Sequence, residues 1–132
     1  MRRPVFATAL CAAALLALVA APQAGAFISH LKAPGHHPKA GEPWKIKVTA
    51  TTRSGKALRA TALYKYLYNG QVVGTASPYS RHSTKPYPFR GHFRDTLHWP
   101  KRAVGFRLTF RVVVDTRHHG TEHDDYWVRV QP

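Results

Sequence analysis

The chain has 132 residues, with 20 Lys and Arg against 6 Asp and Glu, 9 His and a single Cys, for a formal charge of +14 at neutral pH. That length accommodates one domain rather than two. The first 26 residues read as an export signal; without them the chain keeps 106 residues, a charge of +12 and no thiol, which excludes a disulfide framework, a cysteine-based zinc site and a cysteine nucleophile.

The signal is made of three parts in the expected order. Arg2 and Arg3 give a positive start, residues 10–21 are an uncharged run of Ala, Leu and Val with one Cys, and Ala24-Gly25-Ala26 is a small-x-small cleavage site. The run is shorter than the roughly 20 residues of a membrane span, and no apolar run after residue 26 approaches that length. Cys11 follows Leu10, where a lipoprotein signal needs a small residue. The mature chain, 27–132, is expected outside the cytosol, secreted or held at the cell envelope.

Pro and Gly punctuate the mature chain about every ten residues, the spacing of an all-β sandwich or barrel. Residues 27–31 predict a first short strand. Residues 33–43 carry Pro34, Gly35, Pro38, Gly41 and Pro43, so they are irregular or lie at a sheet edge. Residues 44–52 alternate, with Trp44, Ile46, Val48 and Ala50 on one face and Lys45, Lys47, Thr49 and Thr51 on the other, which predicts a half-buried strand. After a turn at Arg53-Ser54-Gly55-Lys56, residues 62–68 place Tyr64, Tyr66 and Tyr68 together on one face. Asn69-Gly70 tolerates positive φ at both positions and predicts a two-residue hairpin, with Tyr66 opposite Val73 and Leu67 opposite Val72. The return strand covers 71–76.

Residues 77–90, with Pro78, Pro86 and Pro88, read as a long loop or a frayed edge. Residues 91–97 predict a strand with Phe93 and Leu97 inward and His92, Arg94 and Thr96 outward. Trp99-Pro100 opens a crossover ending near Gly105. Residues 106–114 form the clearest strand, with Phe106, Leu108, Phe110, Val112 and Val114 on its inner face. A polar hairpin loop around Gly120 is expected over 116–125, and residues 126–130 close the domain with Tyr126, Val128 and Val130 inward.

Seven to eight short antiparallel strands without a helical period predict a single immunoglobulin-like sandwich behind the cleaved signal. Pro38-Lys39-Ala40-Gly41-Glu42-Pro43-Trp44, running into the alternating strand, resembles the start of bacterial immunoglobulin-like and fibronectin type III-like domains, where a Pro-x-x-Gly segment enters the second strand. The Asn69-Gly70 hairpin and the terminal strands around Phe110 and Val128 fit the same outline over 28–131. The inter-sheet cysteines and strand-C Trp of antibody domains are absent, no tyrosine corner is evident, and Trp44 with Trp99 is expected to fill the equivalent space. Such a fold hosts many roles, so the resemblance implies architecture rather than function.

Two functional readings of different kinds follow. In the first, the charge attracts an anionic envelope polymer, or the module meets another exported protein, in a non-catalytic structural or binding role. Its candidate contacts are Lys45 and Lys47 on a strand face, with Arg81, Lys85 and Arg90 interleaved with Tyr79, Tyr87 and Phe89 in the Pro-rich segment. Basic strand faces also keep edges soluble, which needs no ligand at all. In the second, His118, His119 and His123 with Asp124 form a zinc or copper site on the hairpin loop, imidazole and carboxylate being suited to both metals. Adjacent histidines in an extended chain face apart, which weakens a joint bite by His118 and His119. A terminal copper site is disfavoured because cleavage after Ala26 makes His30 the fourth residue, not the third. No catalytic motif is present, so no enzyme activity and no cofactor are expected. Export and the lack of a nucleic-acid motif argue against a nucleic-acid partner. A monomer without a membrane span is expected.

Overall fold

A computed structural model of the protein describes residues 27–132. The expected export signal lies outside the described residues. Eight strands follow in order: β1 (Ile28–Lys32), β2 (Pro43–Thr51), β3 (Arg59–Tyr68), β4 (Gln71–Ala76), β5 (Tyr87–Arg90), β6 (His92–His98), β7 (Arg107–Thr116) and β8 (Gly120–Arg129). A single helical turn, Lys101–Ala103, bridges β6 and β7. The strands form two antiparallel sheets. The first has the order β1-β2-β6, and the second the order β4-β3-β7-β8, with β5 sharing the edge of β3 that β4 occupies. The described residues therefore form an all-β sandwich of eight antiparallel strands.

The two apolar faces meet because neither can stay in water. β2 contributes Trp44, Ile46, Val48 and Ala50, all buried. β7 answers with Phe110, Val112 and Val114, and β8 with Val128, each fully buried. Trp44 lies edge-on to both Trp99 and Phe110 with ring centroids 5.5 Å apart, a favoured arrangement of ring quadrupoles. The Trp44 indole N–H donates to the Gly35 carbonyl at 3.1 Å. Trp44 and Trp99 thus share the centre of the seam, as their sequence context implies.

The Pro-rich segment before β2 runs along the end of β8. Arg129 N–H donates to the His36 carbonyl, Gln131 N–H to the Pro38 carbonyl, and Ala40 N–H to the Gln131 carbonyl. The His36 ring stacks on both Tyr126 and Trp127 at about 4 Å. An exposed sheet edge is thereby covered over part of its length.

Four sequence expectations are corrected. Asn69 and Gly70 both have positive φ, as the predicted turn requires, and Leu67 pairs with Val72, but Tyr66 pairs with Gly74 rather than Val73. The extra residue is a β-bulge, which shifts the register and changes which side chains face the core. Tyr64 and Leu67 are consequently buried, Tyr66 is half-buried and Tyr68 is exposed, so the three tyrosines do not share one environment. Second, Tyr87–Arg90 is a strand pairing with Arg59–Ala62 of β3; Pro88 is tolerated because it stands on an edge strand. Third, the final hairpin is tight. β8 starts at Gly120, whose φ is +82°, so His123 and Asp124 belong to a strand rather than a loop. Fourth, Phe106 precedes β7 and is 48% exposed, lying edge-on to Tyr68 instead of entering the core.

β4 is a terminal strand of its sheet. Val72 and Val73 are exposed on it, and its six residues, QVVGTA, carry no charge.

Candidate functional site

The first sheet carries its cations in register. Lys32 of β1 stands opposite Lys47 of β2, and Lys47 stands opposite Arg94 of β6. Leu31, Ile46, Val48 and Phe93 turn inward, so strand alternation puts these three basic side chains abreast on the outer face. Directly opposed side chains on a sheet have Cβ atoms about 4.5–5.5 Å apart, and like charges there repel. None of the three is ion-paired among the described residues; the ion pair seen there, Arg111 with Asp125 at 2.7 Å, joins β7 to β8 in the other sheet. That contact holds the Asp125 carboxyl below the usual carboxylate range, chiefly through the guanidinium hydrogen bonds.

From this row a cleft of about 1090 Å³ wraps the β6 edge and runs inward between the sheets. Lys45 and Arg81 also line it, giving five cations against one carboxylate, Asp95. The cleft floor carries Tyr64, Tyr66 and Tyr79.

Asp95 is 9% exposed and is held by three donors. The Tyr64 hydroxyl donates to Oδ2 at 2.8 Å, the Tyr79 amide donates to the same oxygen at 3.2 Å, and the Thr96 amide donates to Oδ1 at 2.8 Å. One carboxylate thereby clamps β3, the turn after β4, and β6 across the seam. Burial, reinforced by the Asp95 charge, pushes the Tyr64 hydroxyl far above its ordinary value. The Tyr66 hydroxyl is pushed up to about 12, first by burial and then by Asp95, with Arg81 acting the other way.

Tyr79 has a φ of +62°, a left-handed backbone that is uncommon outside glycine and costs on the order of 1 kcal/mol. Its amide is spent on Asp95 and its hydroxyl donates to the Arg94 carbonyl. The residue is 59% exposed at the cleft, with its ring beside Tyr87 and Phe93.

The sequence candidates divide accordingly. Lys45, Lys47 and Arg81 line the cleft, whereas Lys85 and Arg90 do not. Tyr87 and Phe89, read with Tyr79 as a small stacking surface, both pack edge-on against Phe93, and Tyr87 also meets the Tyr79 ring edge-on at 5.0 Å. His118 and His119 occupy the turn between β7 and β8, and His123 and Asp124 are successive strand residues facing opposite sides. Asp124 accepts a hydrogen bond from Ser29 at 2.6 Å. Among the described residues, no group of three or more His, Cys, Asp or Glu is placed to hold a metal ion.

Lys32, Arg94 and Asp95 escaped the sequence reading. The first two become neighbours of Lys47 only through register between distant strands. Asp95 had a local signal, because it falls between inward Phe93 and Leu97 at the period of a strand, and a carboxylate at an inward position needs partners.

No protein-family model and no curated protein matches the sequence. Among solved structures, the chain is similar to the sporulation control protein Spo0M from Bacillus subtilis, with a TM-score of 0.49 and 12% identity over 82% of this chain and 50% of that one. It is also similar to a DUF4466 family protein from Parabacteroides merdae, with a TM-score of 0.42 and 14% identity over 78% of this chain and 43% of that one. The chain spans half or less of the length of both. Likenesses at this level carry no argument about activity or partners.

Proposed function

We propose that this chain is an exported immunoglobulin-like module with a non-catalytic role at the cell exterior, binding an anionic polymer of the envelope in the cleft at the β6 edge. The observation that supports this most directly is the row Lys32–Lys47–Arg94: three cations abreast with no acid between them. Such an arrangement destabilises the sheet on its own, and an anion laid across it relieves the repulsion. The overall excess of basic residues steers a polyanion toward the surface, and the cleft gives it a place to lodge. The export signal supports an extracellular polymer as the occupant.

The test is calorimetry of the purified protein with a soluble polyanion at low and high salt. Binding is expected at low salt and is expected to weaken as salt rises. The triple variant Lys32→Gln/Lys47→Gln/Arg94→Gln removes the row itself, solvent-facing contacts worth about 0.5–1 kcal/mol each, so affinity falls by roughly tenfold or more. Binding that is indifferent to salt and to the triple variant refutes the reading.

A further inference from the structure

We infer that the preferred occupant of the cleft is an acidic polysaccharide, a polymer carrying both carboxylate or sulfate groups and free hydroxyls, rather than a polyphosphate or an acidic polypeptide. This rests on the proposed binding role of the cleft and asks which polyanion suits its chemistry.

The cleft has two chemically opposite parts. In its outer part, Lys32, Lys47 and Arg94 stand in register and supply donors and positive charge. Its inner part contains Asp95, a carboxylate fixed in place by three donors. A carboxylate has about four lone-pair sites; two donors use Oδ2 and one uses Oδ1, which leaves acceptor capacity on Oδ1. A polyphosphate chain has acceptors and negative charge but no donor, and it meets repulsion at Asp95. A sugar hydroxyl is the complementary donor. A ligand suited to both parts therefore carries acid groups at intervals along a hydroxyl-bearing backbone. Tyr79, exposed at the cleft, adds an apolar surface for the C–H face of a sugar ring.

The rival occupant, an extended acidic peptide adding a strand to β6, is disfavoured by the fold. Strand addition needs free main-chain groups along the edge. The Tyr79 hydroxyl already takes the Arg94 carbonyl, and the Tyr79 backbone is tied to the Asp95 side chain, so the turn after β4 occupies that edge.

The experiment compares four probes against the purified wild-type protein at one ionic strength: polygalacturonate (acid and hydroxyl), polyphosphate and polyglutamate (acid without hydroxyl), and dextran (hydroxyl without acid). Polygalacturonate is expected to bind at least tenfold more tightly per charged unit than polyphosphate or polyglutamate, and dextran is expected to give no measurable heat. Equal or tighter binding of polyphosphate or polyglutamate overturns the polysaccharide inference while leaving the basic cleft intact. Failure of all three polyanions overturns the cleft reading itself. In an Asp95→Asn variant shown by near-UV circular dichroism to be folded, the gap between polygalacturonate and polyphosphate narrows, because the repulsive charge is gone. An unchanged gap refutes the role given to Asp95. Should that variant fail to fold, the wild-type comparison decides alone.

Discussion

Replacing Tyr64 by Phe removes one oxygen from the seam and leaves the ring. The ring is 2% exposed and packs against Phe110 at 5.0 Å, so the substitution creates no cavity larger than the hydroxyl itself. What it removes is one of three donors to Asp95, a carboxylate that is 9% exposed. A hydrogen bond to a charged group contributes about 1.5–3 kcal/mol, and a loss near 2 kcal/mol is expected here. Domains of this size lose roughly 4 °C or more of Tm per kcal/mol, so the midpoint falls by about 8 °C or more. That is a fraction of the about 5–15 kcal/mol of a typical domain, so the variant still folds. The assay is urea unfolding followed by tryptophan fluorescence, with Tyr66→Phe as control. The Tyr66 ring is half-buried in the same region, and its hydroxyl makes no hydrogen bond among the described residues. If Tyr64→Phe costs no more than Tyr66→Phe, the Asp95 clamp does not hold the two sheets together and the reasoning fails.

The remaining predictions concern pH, backbone and surface charge. Tyr64 and Tyr66 are held above the ordinary tyrosine value of 10 in the fold, so the unfolded chain releases their protons first. Their contribution is complete below pH 10 and declines above it, by about 1.4 kcal/mol per pH unit per tyrosine through the Tyr66 value near 12; thermal melts from neutral to alkaline pH should show a steep fall beginning near pH 10. Gly91→Ala is expected to cost more than 1 kcal/mol in urea melts, because φ there is +75° and the new Cβ would stand 2.9 Å from the Ala57 Cβ. Arg111→Ala, by contrast, should change stability by less than about 0.5 kcal/mol, since the Arg111–Asp125 pair is well solvated and screened; a loss of several degrees in Tm would show that this pair matters more than a surface contact.

The reach of the sequence follows the range of the physics. Strict alternation is local, so Trp44, Ile46, Val48 and Ala50 on β2 and Phe110, Val112 and Val114 on β7 could be placed in the core in advance. The Asn69-Gly70 turn is equally local. The bulge at Tyr66 and Leu67 is set by how β4 packs, and no pattern in residues 62–76 announces the extra residue at Val73. Tyr87–Arg90 was obscured by Pro88, which is compatible with an edge strand but gives no sign of which edge. Half of the cleft was legible as basic residues, namely Lys45, Lys47 and Arg81. The row Lys32–Lys47–Arg94 was not, because cross-strand register between non-adjacent segments is a property of the assembled sheet. The turn from Thr116 to Gly120 was read as too long because its polar composition continues into β8, whose outer face is simply solvated.

Every described strand except β4 carries at least one Lys, Arg or His. Two copies approaching in most orientations therefore present like charge to one another, and mutual repulsion keeps them dispersed. The exception is the neutral margin Gln71–Ala76, with Val72 and Val73 turned to solvent. Screening becomes strong within a Debye length of about 8 Å at physiological salt, so concentrated, salty solutions remove the long-range barrier and leave that margin free to zip against its twin through main-chain pairing. Light scattering should register this as salt-promoted growth in particle size, and a Val73→Lys substitution, which installs the missing charge, should suppress it.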